Sequence, residues 1–273
     1  DRRRRIGVGR VVAGLEEDGR AVVAIDGVHA TISAHPGMVA LGRMLVRRGE
    51  PEGTELIEEA WRRALPARDF IQQDPDNGQP ATEPTEVRIL FTSTALYIGV
   101  TAYDSEPDQW LGYHRRRDDL LQSDDRFMWN IDTYNNQQSG YFFEMKPSGL
   151  MGDALRGANF NNRQWDGIWT GKALRSDIGW TLEIEIPFST LNFDPNAEVW
   201  GINFQRTVRR KNEESIWMGW ARTQGLRRMT NAGHVTGITN VTQGHGLDIR
   251  PYGLYISEGS PGRGSGGAAA SPG

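Results

Sequence analysis

The chain contains no cysteine among its 273 residues. That excludes a disulfide scaffold and any cysteine-ligated zinc, and it leaves the compartment open, because exported proteins need not carry disulfides. No run of about 18 apolar residues occurs, which excludes a membrane-spanning helix. Histidine is scarce: His29, His35, His114, His234 and His245 never fall into the His-Glu-x-x-His spacing of a zinc enzyme. There is no Gly-x-Ser-x-Gly nucleophile elbow. The glycines between Gly262 and Gly267 lack the strand, helix and lysine of a phosphate-binding loop, and read as linker. An excess of positive charge is missing too. Lysine and arginine number 31 against 35 acids, a net charge of -4, so the chain has no overall basic footprint for nucleic acid. The run Arg2-Arg3-Arg4-Arg5 reads as a solvated basic tail. With no initiator methionine and no charged-then-apolar leader, the expectation is a mature or trimmed product.

What is present points to β-structure. Nine tryptophans and 33 glycines are spread over a length sufficient to bury a real core. From residue 67 to 255 the chain alternates strand-like runs with turns, the runs falling at 86–91, 95–104, 123–132, 140–147, 169–174, 180–186, 200–208 and 215–221. Trp180, Leu182, Ile184 and Ile186 alternate strictly with Thr181, Glu183 and Glu185, as in a strand with one buried face. Residues 71–80 are rich in Pro, Gly and Asn and read as a loop. Residues 1–66 differ: a short strand near 21–27, an imperfect helical stripe over 36–48 and a second short helix over 55–63 predict a partly helical N-terminal extension. Residues 256–273 are Gly, Ser, Ala and Pro rich and predict a flexible tail. The expected fold is all-β: an antiparallel two-sheet β-sandwich, jelly-roll-like, preceded by that extension.

Strand alternation also predicts a polar face. If Phe127, Trp129 and Ile131 point inward, Asn130 and Asp132 point the other way. The same logic on the following runs turns out Glu144 and Lys146, then Asn203 and Gln205. Planar amides and charged groups on one sheet face suit the paired hydroxyls of a sugar, and aromatic side chains suit its C–H faces. Tyr113, Phe142 and Trp110 are the nearby aromatic candidates, and Trp165 is a further one. The expected ligand-binding set is therefore Tyr113, Asn130, Glu144, Lys146, Trp165, Asn203 and Gln205. Among the acids, Asp124, Asp125 and Asp132 are candidate ligands for a structural Ca²⁺, an ion that takes six to eight oxygens. No Asp-x-Asp-x-Asp-Gly loop is present, and turn capping or pairing with Arg126 is the alternative role for these residues. No acid pair stands out at the spacing a glycosidase needs, so the expectation is a non-catalytic protein.

Read in order, Pro80 to Arg88, Ala95 to Val100, Ser123-Asp124-Asp125-Arg126-Phe127, Trp165-Asp166-Gly167-Ile168-Trp169, Gly179 to Pro187, Trp200 to Phe204 and Arg209 to Glu214 resemble the family 9 carbohydrate-binding module-like domain, in the version that precedes a bacterial outer-membrane β-barrel. The likeness covers roughly residues 67–255. Ile25-Asp26-Gly27 and the stretch Leu56 to Trp61 look like two halves of the family's opening motif, separated by residues 28–55. Sugar-binding members clamp the ligand between two tryptophans, whereas the late loop here, Gln224 to Thr230, carries no aromatic residue. The resemblance implies non-catalytic glycan binding through one sandwich face, and in some members a structural calcium. It implies a periplasmic, outer-membrane-associated or extracellular location, and a saccharide or cell-surface glycan as partner. An outer-membrane β-barrel or self-assembly is the further partner it suggests. A structural or protein-interaction domain is the alternative, and a component of glycan hydrolysis a weaker one.

Overall fold

A computed structural model describes residues 60–113, 123–157 and 159–243, together with the backbone of three short strands before them. The expected helical stripe at 36–48 and the tail at 256–273 lie outside the described residues. Of the expected helix at 55–63, the described part, residues 60–63, is helical.

In chain order the strands are β1 (Ala24–Asp26), β2 (His29–Ser33), β3 (His35–Pro36), β4 (Ile71–Asp74), β5 (Thr85–Phe91), β6 (Ala95–Tyr103), β7 (Arg126–Asp132) and β8 (Ser139–Met145). They continue as β9 (Met151–Gly157), β10 (Phe160–Asn162), β11 (Thr170–Ser176), β12 (Gly179–Pro187), β13 (Val199–Val208), β14 (Glu213–Ile216) and β15 (Gly233–Thr236). The larger sheet runs β1-β2-β15-β13-β7-β8-β9-β10, with β14 bridging β13 to β4, and the smaller runs β11-β12-β6-β5-β3. The two sheets form the expected sandwich. Pairing is antiparallel except at two places, β15 with β2 and β3 with β5, where the segment before residue 37 joins each sheet in parallel.

Local chemistry sets the turns that make this register. Between β5 and β6 the Thr92 hydroxyl accepts the backbone N–H groups of Thr94 and Ala95 at 3.3 and 3.2 Å. Between β7 and β8 the Asp132 carboxylate accepts Asn136 N–H at 3.2 Å and Gln137 N–H at 2.7 Å, while Asn135 and Gln137 take left-handed φ values of 48° and 60°. The β12 alternation is as expected, with Trp180, Leu182, Ile184 and Ile186 buried. Their sheet packs on an aromatic interior in which Trp129 stacks on Phe143 at 5.3 Å and meets Trp169 edge-on at 5.5 Å.

Three departures from the sequence reading have physical causes. Residues 71–74, expected as loop, form β4 because they meet the free edge of β14. The run at 215–221 ends as a strand at Ile216; Trp217 turns into the core while Trp220 is 45% exposed. β9 was not foreseen, because Gly152, Asp153 and Gly157 are poor strand formers and the strand exists through its pairing with β8.

An ionic cluster closes one end of the sandwich. Arg206 is fully buried on β13, pairs with Asp104 at 3.4 Å and donates to the carbonyls of Tyr103 and Pro84 at 2.7 and 3.1 Å. Arg210 pairs with Glu83 at 2.7 Å and with Asp104 at 2.8 Å, and Lys211 reaches Glu83 at 2.6 Å. Burial would raise the Glu83 carboxyl, but hydrogen bonds from Lys211 and Ser105 prevail and hold it at about 2.

Candidate functional site

The polar face expected to bind ligand is sealed. Asn130, Glu144, Lys146 and Asn203 are each at most 1% exposed, and Gln205 is 7% exposed. The segment 217–232 lies across Asn130 and Asn203. Asn130 donates its side-chain amide to the Leu226 carbonyl. Asn203 donates to the Met218 carbonyl at 2.9 Å and accepts the Met218 N–H at 3.1 Å. Gln205 donates to Glu214 at 2.8 Å. Leu226 then completes a second small apolar cluster with Met128, Phe142, Ala154 and Ile216, on the side of the larger sheet away from the main core. Alternation correctly gave the side to which these groups point. It carried no information about what lies across them; Asn130 and Asn203 pin a covering segment by satisfying its backbone.

Glu144 and Lys146 are tied up in ion pairs. Glu144 bridges Arg126 at 2.8 Å and Arg163 at 2.5 Å, and Lys146 pairs with Asp124 at 2.7 Å. Trp165 is not a free platform: it packs half-buried on Tyr141 at 5.2 Å and on Phe143 at 5.9 Å. Tyr113 is exposed, at 67%, and its backbone N–H donates to Asp124 at 2.9 Å, beside the start of β7.

The three aspartates do not converge. Asp124 serves Lys146, and Asp125 accepts Leu111 N–H at 2.8 Å and Arg209 N–H at 2.5 Å. Asp132 closes the β7–β8 turn at the other end of the strand, about 20 Å away at strand rise. Burial pushes the carboxyls of Asp125 and Asp132 up, against the backbone N–H groups that pull them down. Among the described residues no group of three His, Cys, Asp or Glu side chains is placed to hold a metal ion.

A groove of about 610 Å³ opens beside the sealed face, between the β8–β9–β10 edge and residues 227–230. Two close approaches shape it. Phe160, on the edge strand β10, lies over its cross-strand partner Gly157 and fills the space a side chain there would need. Met229 reaches in over Gly140 in the same way, seating the late segment on β8. Phe160 stays 53% exposed. Amides surround it: Asn159 and Asn161 from β10 and its approach, Gln137 and Gln138 from the β7–β8 turn.

The groove is also cationic. Arg156, on β9, lays its guanidinium 3.1 Å from the Phe142 ring centroid and donates Nε–H to Asn161 Oδ1 at 3.1 Å. Burial pushes its pKa down to about 9, opposed by Glu144 and reinforced by Arg227. Arg227 and Arg228, both exposed, line the facing wall. Sequence reasoning missed all of these residues. The available signal was Phe160 set among Asn159, Asn161 and Asn162, an aromatic in a run too polar for a core strand.

Neither a protein-family model nor a curated protein matches the sequence. Solved structures match its fold. A candidate carbohydrate-binding protein from Bacteroides uniformis superposes with a TM-score of 0.56 at 11% identity, over 76% of this chain and 98% of that chain. A family 9 carbohydrate-binding module from Caldicellulosiruptor kristjanssonii, in complex with glucose, superposes with a TM-score of 0.50 at 12% identity, over 76% of this chain and 94% of that one. The sandwich is thus the fold of a family 9 carbohydrate-binding module, as the resemblance implied.

Proposed function

We propose that this domain binds saccharide without transforming it, in the groove between the β8–β9–β10 edge and residues 227–230. The observation that carries the reading is Phe160: a half-exposed aromatic ring held over Gly157, with amide side chains on either side. A sugar presents one face of C–H groups, which an aromatic ring receives, and a rim of hydroxyls, which amides meet as both donor and acceptor. The groove is of ligand-site size, since such sites span about 300–1,000 Å³. The fold adds support by analogy: the similar module from Caldicellulosiruptor kristjanssonii was solved with glucose. Against catalysis stands the lining, which among the described residues contains no Asp or Glu, whereas glycoside hydrolysis needs a carboxyl pair flanking the bond. A position outside the cytoplasm, where glycans are met, belongs to the same proposal.

Affinity electrophoresis of the full chain through gels containing soluble polysaccharides tests it, followed by titration calorimetry on any chain that retards it. Phe160→Ala is expected to weaken binding about tenfold with an unchanged melting temperature, because the ring stacks on ligand and not on the core. Binding that survives Phe160→Ala intact, or no retardation by any polysaccharide, sinks the reading.

A further inference from the structure

The cations of this groove carry a statement about which saccharide it takes. Three guanidinium groups border it, Arg156, Arg227 and Arg228, and among the described residues none of the three forms an ion pair. This happens in a chain whose net charge is -4. Neighbouring arginines behave differently: Arg126 and Arg163 share the Glu144 carboxylate. Glu144, whose charge acts on Arg156, is thereby committed to two other guanidiniums.

Arg156 is also oriented in advance. Its plane rests against Phe142 and its Nε–H is taken by Asn161, so its two terminal nitrogens have no partner among the described residues. A guanidinium fixed in this way meets an anionic oxygen pair with parallel N–H donors. Burial is the main cause that lowers the Arg156 pKa, and the neighbouring charges of Arg227, Arg163 and Arg126 add to it. An anion bound between them would relieve that repulsion, which a neutral sugar cannot do.

We infer that the groove takes an acidic saccharide, one whose rings carry carboxylate or sulfate groups, with Phe160 receiving the ring face and Arg156, Arg227 and Arg228 receiving the anion. This rests on the saccharide-binding reading above and narrows it.

The test compares matched chains on the full-length protein by calorimetry: polygalacturonate against its methyl ester, and a sulfated polysaccharide against its desulfated form. The acidic member of at least one pair is expected to bind about tenfold or more tightly than its neutral counterpart. The pair that shows the preference identifies carboxylate or sulfate as the anion. The exposed double variant Arg227→Gln/Arg228→Gln is expected to fold normally and to lose that preference. Neutral and acidic members binding alike overturns the acidic specificity while leaving saccharide binding in place. A preference that persists when Arg156→Gln is added to the double variant overturns it as well, and assigns the effect to another basic segment such as Arg2–Arg5. No binding to either member of either pair overturns the acidic specificity, while the polysaccharide gels above decide the saccharide reading separately.

Discussion

Two arginine clusters divide the molecule's charge chemistry between them. At one end of the sandwich Arg206, Arg210 and Lys211 are matched by Asp104 and Glu83, with the carbonyls of Tyr103 and Pro84 accepting from one terminal nitrogen of Arg206. At the β8–β10 edge Arg156, Arg227 and Arg228 border open space without an acid in the lining. The residue type is the same and the physics differs. Where a cation is taken out of water, the fold must supply its counter-charge and every hydrogen bond. Where it stays at a rim, the counter-charge is left for something else to bring. The first arrangement holds the chain together; the second is the one we propose receives a ligand.

Substitutions can break or sharpen that contrast. Arg206→Met strikes the matched cluster hardest, because it removes a fully buried cation that Asp104 and Glu83 face and takes a donor from the Tyr103 carbonyl. A loss of about 3–5 kcal/mol in a denaturant titration is expected, and a loss below about 1 kcal/mol would mean the cluster is not structural. Asn130→Ala comes next. It leaves the Leu226 carbonyl buried without its donor, for a cost of about 1–3 kcal/mol. Faster amide hydrogen exchange over 218–232 should accompany it, since the same segment carries Arg227 and Arg228.

Acid provides a third probe. Glu83 titrates at about 2 in the folded protein against an ordinary value of 4.5. A carboxyl lowered by folding stabilises fully above its ordinary value, and that stabilisation fades as pH falls from 4.5 towards 2. Asp125 runs in the opposite direction, because burial raises it. The stability gap between the native chain and Glu83→Gln should therefore shrink across that window, by an amount on the order of 1–2 kcal/mol once solvent screening is allowed for. A gap that stays constant to pH 2 contradicts the assignment. Smallest of all is Arg227→Gln/Arg228→Gln, expected to move stability by no more than about 0.5 kcal/mol. A thermal melt displaced well beyond that would place these residues with the structural set.

The sandwich was legible in the sequence because its signal is local. Trp180 to Ile186 writes its burial pattern in its own alternation, and the β5–β6 and β7–β8 turns announce themselves through Thr92 and Asp132. The site was not legible, for the converse reason. Asn130 and Asn203 look like ligand-binding amides until the carbonyls of Leu226 and Met218, 96 and 15 residues away in sequence, are found against them. Nothing in the composition of 217–232 marks it as a cover, since it docks largely through backbone carbonyls, helped by the apolar side chains of Leu226 and Met229. The groove depends on a similar long-range event: Phe160 and Arg227 share it only because Met229 finds room over Gly140.

The pairing of β2 with β15 and of β3 with β5 bears on where this domain can be cut. Between Ser33 and His35 the chain passes from one sheet to the other, so this short piece acts as a seam along one flank. A truncated protein beginning at residue 67, where the sequence alone would start the sandwich, loses that seam. β15 and β5 would then each present a bare row of amides and carbonyls to solvent, and such rows recruit neighbouring molecules. Trimming to the apparent boundary should give a protein that clumps, while starting ahead of residue 24 should give one that stays dispersed.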